Sequence, residues 1–283
     1  MTVRDALAMG TRLLGRSLPA ERARLEVETL LADTLDRPRA WLFAHPEALL
    51  PSVDEGRLLS LVERRADGEP LDYVLGHGDF YGLTLALSPD VLVPRPETET
   101  LVEAALAPLA QYERPLVADV GTGSGAIALA IAANHTGARV VATDVSVTAL
   151  AVAARNCHAL GFASRIHMVC GHLLDAIAVR FDLIAANLPY VSTSDLDGPS
   201  AAVAGFEPRL ALAGGDDGLA LVRDFLRQAP SRLAPGGTLL AEIGSMQGSD
   251  TSALASRHFG PGKVDVLRDL SGNDRVLRVR VPR

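Results

Sequence analysis

The sequence is poor in cysteine and lysine, and both shortages narrow the range of functions. Its two cysteines, Cys157 and Cys170, do not form a C-x-x-C pair, and its seven histidines lack the H-x-x-x-H spacing of a metal-binding helix. Lys263 is the only lysine, the formal net charge is −7, and no run of basic residues forms a stripe suited to a phosphate backbone. We therefore expect no metal site, reduced thiols and no direct binding to nucleic acid.

Long apolar segments are absent as well. No stretch approaches the ~18 uncharged apolar residues of a membrane span, and the first five residues lack the basic segment of a secretion signal. Hydrophobic residues nevertheless make up 48% of the 283 residues, which is enough for one large domain and a small one. The sequence predicts a cytoplasmic protein without membrane association.

Three regions differ in their hydrophobic pattern. Residues 1–75 repeat apolar side chains at helical spacing, which predicts a small helical bundle. Within it, Ser52 and Glu55 have the spacing of a capping box at a helix start. Residues 76–95 combine glycine turns with alternating leucines, which predicts a β-hairpin linker. The remaining residues, 96–283, form the larger predicted domain.

Strands and helices alternate from residue 115 onward, and this order predicts a mostly parallel sheet with helices on both faces. The last two strands are separated by only four residues, 271–274, which leaves no room for a helix. One of these two strands must therefore run antiparallel to its neighbours. The seven predicted strands cover residues 116–120, 139–144, 165–170, 182–187, 238–243, 264–270 and 275–281.

A glycine-rich turn follows the first strand of this sheet and precedes a helix, in the segment Asp119-Val120-Gly121-Thr122-Gly123-Ser124-Gly125. Glycines let a backbone turn sharply and approach a ligand, and a helix N-terminus offers free N–H groups. About 20 residues further on, Asp144 ends the next strand, where a carboxylate can bind ribose hydroxyls. The same spacing satisfies the dinucleotide fingerprint of NAD enzymes. The carboxylate that precedes the first glycine favours S-adenosylmethionine, because D-x-G-x-G-x-G resembles motif I of class I methyltransferases.

The segment Asn187-Leu188-Pro189-Tyr190 directly follows the fourth strand, at the sheet edge where ligands of open α/β sheets bind. An amide nitrogen is a poor nucleophile, because its lone pair is conjugated with the carbonyl. The Asn187 side-chain oxygen and the Leu188 carbonyl can each accept one N–H of such a group, and Tyr190 offers a flat face. Positioning of this kind lowers a barrier without a charged base. Alone, the segment is equally consistent with an ordinary turn; together with motif I it indicates methyl transfer to a planar amide or exocyclic amine.

Along its whole length the chain resembles the HemK/PrmC family of protein-(glutamine-N5) methyltransferases, which modify the Gly-Gly-Gln glutamine of peptide-chain release factors. The most specific match is Pro94-Arg95-Pro96-Glu97-Thr98-Glu99, because other methyltransferases lack it. The further matches are Arg64-Arg65-x-x-Gly68-Glu69-Pro70, Gly76-x-x-x-Phe80-x-Gly82, Phe206-Glu207-Pro208-Arg209, Glu242-Ile243-Gly244-x-x-Gln247 and Gly272-Asn273-Asp274-Arg275.

The resemblance implies a class I methyltransferase (Rossmann-like) fold with a mostly parallel seven-stranded sheet. It implies S-adenosylmethionine as the cofactor, with S-adenosylhomocysteine as the product, and release factors as protein partners. The helical domain, 1–75, would recognise the protein substrate, whereas 96–283 would bind the cofactor. The chain would thereby act in translation termination.

The resemblance also implies roles for individual residues. Catalysis is expected of Asn187, Pro189 and Tyr190. Substrate binding is expected of Phe80, Arg95, Glu97, Thr98, Asn187, Leu188, Pro189 and Tyr190, although for Thr98 a structural capping role is equally consistent. The cofactor is expected to contact Asp119, Gly121, Thr122, Gly123, Ser124, Gly125, Asp144, His172, Leu173 and Asn187.

Two departures from the family pattern keep alternatives open. Leu188 stands where the family usually has proline, and Gly171-His172 stands where it tends to have an acid. Asn-Leu-Pro-Tyr is also the usual form in ribosomal RNA adenine-N6 dimethyltransferases, so an exocyclic adenine amine is one alternative acceptor. A glutamine of another protein, such as a ribosomal protein, is a second. An NAD-dependent oxidoreductase would leave the 187–190 segment unexplained, and the retained Asn187 and Tyr190 speak against a scaffold without catalysis.

Overall fold

The computed structural model describes residues 1–198, 205–260 and 263–283. They divide into two compact units, Met1–His77 and Gly78–Arg283. Within these described ranges, no helix has the length and apolar character needed to cross a membrane.

The first unit consists of five helices around its own core. Their bounds are α1 Val3–Leu14, α2 Ala20–Thr34, α3 Arg39–Ala44, α4 Ser52–Ala66 and α5 Leu71–Leu75. The apolar residues at helical spacing, among them Leu14, Leu30 and Leu58, are completely buried. A buried ion pair links α4 to α2, because Arg65 Nε lies 2.6 Å from Glu26 Oε2. Removal of Glu26 would take away the carboxylate that compensates this buried guanidinium, whereas Glu26 also pairs with Arg22 of α2.

The capping box predicted at Ser52 is wrong. Helix α4 already begins at Ser52, after Pro51, so the serine side chain lies within the first turn and makes no capping bond. Glu55 pairs instead with the amino group of Met1. A capping box does form at α1, where the Thr2 hydroxyl accepts a bond from the backbone N–H of Asp5.

Seven strands form the sheet of the second unit. Their bounds are β3 Leu116–Val120, β4 Arg139–Asp144, β5 Ile166–Cys170, β6 Phe181–Asn187, β7 Leu233–Glu242, β8 Val264–Arg268 and β9 Asp274–Arg280, after a short hairpin of β1 His77–Phe80 and β2 Leu83–Ala86. The spatial order is β5-β4-β3-β6-β7-β9-β8. Strand β9 runs antiparallel to both β7 and β8, and the other pairings are parallel. The predicted mostly parallel seven-stranded sheet is confirmed.

Helices cover both faces of this sheet. They are α6 Glu99–Leu109, α7 Ala126–Asn134, α8 Val147–Ala159, α9 Thr193–Leu196, α10 Ala220–Gln228 and α11 Gly248–Phe259. Successive side chains of a strand point to opposite faces. Ala118 of β3 belongs to the core that contains Phe225 of α10 and Phe259 of α11. Its neighbour Asp119 points the other way and accepts a bond from the Ala128 N–H in α7.

The strand order reverses beside β3. The chain proceeds from β3 to β4 and β5 on one side, and from β6 to β7 on the other. Ligands of open α/β sheets bind at such a switch point, outside the carboxyl ends of the strands. The glycine-rich turn, Asp144 and Asn187 all lie at these strand ends.

Candidate active site

A cavity of about 630 Å³ opens at the carboxyl ends of β3, β4 and β6. Its volume falls within the range of small-molecule and cofactor sites. Backbone and side chains of the following segments line it: 89–92 and 94, 121–124 and 126–127, 143–146, 171–173, 187–189, and 208, 210–211 and 213–215.

The glycine-rich turn depends on backbone conformations that side chains rarely adopt. Gly121, Gly123 and Gly125 have φ angles of +74°, +54° and +85°. A Cβ atom added at Gly121 would lie 3.3 Å from Leu188 Cδ2, whereas one at Gly123 would meet no atom within 4 Å. The turn therefore packs closely against the 187–190 segment at one glycine and leaves open space at the other.

Asp119 supports this turn from below. It is completely buried, and its Oδ2 accepts bonds from the Thr122 hydroxyl at 2.7 Å and the Ala128 N–H at 3.1 Å. Burial raises the pKa of the carboxyl to about 6. Asp119 does not line the cavity, and neither does Gly125.

Asp144 faces the cavity in a fixed orientation. Its Oδ2 accepts the Gly123 N–H and its Oδ1 accepts the Ser146 N–H, each at 2.9 Å. A carboxylate oxygen accepts more than one bond, so both oxygens can still receive hydroxyl donors. Val145, which is 52% exposed, lines the cavity next to it with apolar surface.

His172 and Leu173 also line the cavity, directly after β5. Leu173 has a φ of +51°, and its carbonyl accepts the Thr143 hydroxyl at 3.0 Å. His172 Nδ1 lies 3.5 Å from Asp175 Oδ2, and both side chains are about half exposed. The acid Asp175 therefore lies beside His172, three residues after the position at which the family resemblance implies an acid.

Asn187 ends β6 and is half-buried at the cavity wall. Its Nδ2 donates to the Thr98 hydroxyl oxygen at 3.2 Å. Thr98 is itself 4% exposed and lines the cavity, as do Leu188 and Pro189. Tyr190 does not line it: its hydroxyl donates to Glu242 Oε1 at 3.3 Å, and burial raises its pKa to about 12.

The other residues expected to bind substrate lie away from the cavity lining. Phe80 is buried, with its ring centroid 6.4 Å from that of Tyr81. Arg95 Nη2 contacts both carboxylate oxygens of Glu207, at 2.7 and 2.6 Å. This ion pair holds the 93–98 segment against the chain that follows residue 205. Glu97 is exposed.

Three polar residues without a predicted role organise the site. Glu242, 1% exposed, lies beside Asn187 in the β6–β7 register. Asn156 donates to the Ser124 and Ala86 carbonyls, which links the turn and β2 to α8. Gln247 donates to the Tyr190 carbonyl at 3.1 Å. Glu242 and Gln247 belong to the matched motif from 242 to 247, which carries no indication of a partner, and no motif of the sequence includes Asn156.

No group of three or more histidine, cysteine or acidic side chains is positioned to hold a metal ion within the part of the chain that the structure describes.

Known proteins match the chain along nearly its whole length. A family model described as the PrmC N-terminal domain matches residues 5–76, and one described as the methyltransferase small domain matches residues 98–202. The release factor glutamine methyltransferase of Moorella thermoacetica is 44% identical over 278 residues, which cover 97% of each chain. That of Bordetella pertussis is 42% identical over 255 residues, 89% of this chain and 93% of the relative.

A solved structure shares the fold. The 16S rRNA N2 G1207 methyltransferase of T. thermophilus, in complex with AdoMet and guanosine, has a TM-score of 0.53 and 20% sequence identity, over 72% of this chain and 49% of that chain. At this identity the likeness concerns the fold alone.

Proposed function

Because this chain belongs to the family of release factor glutamine methyltransferases, as its motifs predicted, we propose that it methylates the side-chain amide nitrogen (N5) of the glutamine in the Gly-Gly-Gln motif of peptide-chain release factors. The methyl donor in this proposal is S-adenosylmethionine, and no metal takes part. The observation that carries the proposal is the Asn187 amide, which Thr98 holds at the cavity wall. The proposed location is the cytoplasm.

The cavity fits S-adenosylmethionine. The space beside Gly123 is free of side chains, and the Asp144 oxygens are oriented for hydroxyl groups such as those of a ribose. Val145 and Leu173 contribute apolar surface, and His172 a polar edge. When bound, the cofactor supplies a methyl group on a positively charged sulfur. These residues would hold it at the carboxyl ends of β3, β4 and β5.

The residues from 187 to 189 would orient the acceptor. The Asn187 side-chain oxygen and the Leu188 carbonyl can accept the two N–H groups of a glutamine amide. These bonds would orient the NH2 group and favour a pyramidal nitrogen whose lone pair is directed at the methyl group. Fixing a reactant in this way removes part of the barrier that orientation and solvent reorganisation impose in water. The mechanism requires no charged base.

We further propose that the helical unit recognises the release factor. Its core is separate from that of the second unit, and the cavity is lined by the second unit alone. A protein acceptor requires a contact surface larger than one side chain, and in this proposal the surface of the helical unit provides it.

A methyl-transfer assay and a calorimetric measurement of cofactor binding test these proposals. The full chain with labelled S-adenosylmethionine should modify a release factor, but neither its Gln→Ala variant nor ribosomal RNA. A chain truncated to begin at Gly78 should retain cofactor affinity in calorimetry but lose turnover on the intact factor. Labelling of RNA, or of the Gln→Ala factor, would contradict the proposed acceptor, and full turnover by the truncated chain would contradict the role of the helical unit.

A further inference from the structure

Glu242 is a buried carboxyl group that the proposed chemistry does not use. It is 1% exposed, and its Oε2 makes no well-aligned hydrogen bond with any described residue. The positive charge of Arg275 lowers the pKa of this carboxyl, but the Arg275 guanidinium already pairs with Asp269 at 3.2 Å. Burying an acid without a close counter-charge costs stability, so its hydrogen-bond partners indicate what it does.

Two of those partners, Tyr190 and Thr98, belong to the segments that form the proposed acceptor site. Tyr190 donates to Oε1 at 3.3 Å. A hydrogen bond from the Thr98 hydroxyl lowers the pKa of the same carboxyl. The Thr98 oxygen in turn accepts the N–H of Asn187 at 3.2 Å. Asn187 and Glu242 are also paired in register on the adjacent strands β6 and β7. This pairing fixes the separation between the two residues that Thr98 connects.

The hydrogen bonds that join Asn187, Thr98 and Glu242 are consistent with only one assignment of donors and acceptors. A threonine hydroxyl has a single hydrogen, and a carboxylate has none to donate. If that hydrogen goes to Glu242, the Thr98 oxygen can only accept, so Asn187 must present its NH2 group to it. The two ends of an asparagine amide have nearly the same shape, and only such a network decides which end faces a ligand.

We propose that Glu242 is a positioning residue whose carboxylate, acting through Thr98, holds Asn187 with its side-chain oxygen towards the acceptor amide. This inference rests on the proposed function, because it assigns that oxygen to the acceptor N–H group. Glu242→Gln replaces one acceptor oxygen with an NH2 donor of the same shape. The Thr98 hydroxyl then donates to Asn187, and the NH2 group of Asn187 faces the NH2 group of the acceptor.

Protonation of Glu242 should have the same effect. Burial raises the pKa of this carboxyl; hydrogen bonds from Thr98 and Tyr190 and the charge of Arg275 lower it, and the charge of Glu97 raises it. The methyl-transfer rate should therefore fall on acidification at a pH above the ordinary glutamate range. This acid limb should be absent from Glu242→Gln and present in Glu97→Gln, which separates the buried acid from the exposed one.

Four variants of the full chain test the relay by single-turnover methyl transfer to a release factor. Glu242→Gln and Thr98→Val should be slower by roughly tenfold to a hundredfold, the range for loss of a hydrogen bond to a charged group. Thr98→Ser, which keeps the hydroxyl, should recover most of the rate lost in Thr98→Val. The matched control is Thr238→Val, since Thr238 of β7 is as buried as Thr98 and does not line the cavity. Its rate should equal that of the unmodified chain.

A second readout does not depend on activity. The chain has four asparagines, at positions 134, 156, 187 and 273, so selective ¹⁵N labelling gives four side-chain amide signals. The Asn187 signal, assigned by its loss in Asn187→Ala, should show slow hydrogen exchange and should shift as Glu242 titrates. Exchange should become faster in Glu242→Gln and in Thr98→Val.

The outcomes separate the relay from the proposed function. A normal rate and an unchanged Asn187 signal in Glu242→Gln would overturn the positioning role and leave the function intact. Altered Asn187 exchange in a chain that does not methylate release factors would support the relay and contradict the acceptor. If Glu242→Gln does not fold, the pH dependence of the Asn187 signal in the unmodified chain decides: a signal that does not respond to acidification overturns the relay.

Discussion

The two sides of the cavity are built from different groups. On the side of the glycine turn and Asp144, which we call the cofactor side, the backbone N–H groups of Gly123 and Ser146 bond one carboxylate. On the side of Thr98 and Asn187, which we call the acceptor side, the contacts join side chains from distant parts of the sequence, with Glu242 behind them. A backbone-built site tolerates side-chain changes that preserve the turn, whereas a side-chain relay fails when one donor or acceptor changes.

The largest effect is expected on the acceptor side, from Asn187→Ala. Loss of the amide removes the acceptor for the substrate N–H group, and single-turnover methyl transfer should fall by about 10²–10³, as for removal of one donor from an oxyanion hole. Cofactor affinity measured by calorimetry should change little. Chemistry at a near-normal rate would mean that the 187–190 segment is only a turn.

Asn187→Asp serves as the control for shape. It can still accept the substrate N–H, but its charge stabilises the positive sulfonium in the ground state more than in the neutralising transition state. It also has no N–H to donate to Thr98. Its rate should fall although its geometry is nearly kept, and its affinity for the cofactor should be equal or higher.

The next largest effect is expected from Asp119→Asn, which changes the residue beneath the glycine turn and with it the pH dependence of stability. The pKa of Asp119 is raised from 3.8 to about 6 in the folded state. The protonated carboxyl therefore stabilises the fold fully below pH 3.8, and this stabilisation is lost as the pH rises through about 6. Asparagine keeps an acceptor oxygen and carries no charge. Between about pH 4 and pH 7 the variant should therefore gain about 2–3 kcal/mol in unfolding free energy relative to the unmodified chain. Denaturant unfolding at several pH values measures this difference, and a pH-independent difference would contradict it.

Asp144→Ala should weaken S-adenosylmethionine binding by about 1.5–3 kcal/mol, because it removes charge-assisted bonds to hydroxyl groups. Part of the loss reflects the freed Gly123 and Ser146 N–H groups. Asp144→Asn keeps one acceptor oxygen, so its S-adenosylmethionine affinity in calorimetry should lie between those of the unmodified chain and Asp144→Ala. Tight binding of NAD by the unmodified chain would instead favour the dinucleotide alternative.

The same contrast explains how much of the site was predictable. The turn from Asp119 to Gly125 is contiguous, and its spacing to Asp144 follows from one strand–helix–strand unit, so a linear pattern identified it. Strands β3, β4 and β6 were placed within one residue for the same reason. The relay joins residues 98, 187, 190 and 242, whose proximity depends on the order of β6 and β7 and on the segment that precedes α6. No local pattern encodes those contacts.

Strand β7 illustrates the limit for the fold. Its predicted start is residue 238, directly after the glycines at 236 and 237, yet the strand begins at Leu233. A register shift between Phe181 and Leu183 of β6 accommodates the additional residues. A glycine within a strand indicates a bulge as readily as an end, and only the pairing partner distinguishes the two.

The smallest effect is expected from Leu188→Pro, which restores the residue that the family resemblance places there. Asn187 belongs to β6 and is extended, the conformation that a residue before proline favours, and no described backbone hydrogen bond uses the Leu188 N–H. The carbonyl that would accept the substrate N–H is kept. Leu188 is 4% exposed in the core, so loss of about one buried CH₂ group should lower unfolding free energy by about 1 kcal/mol. Single-turnover rates should agree within about twofold; a tenfold loss would show that the leucine side chain, which approaches Gly121, determines how the turn meets the acceptor side.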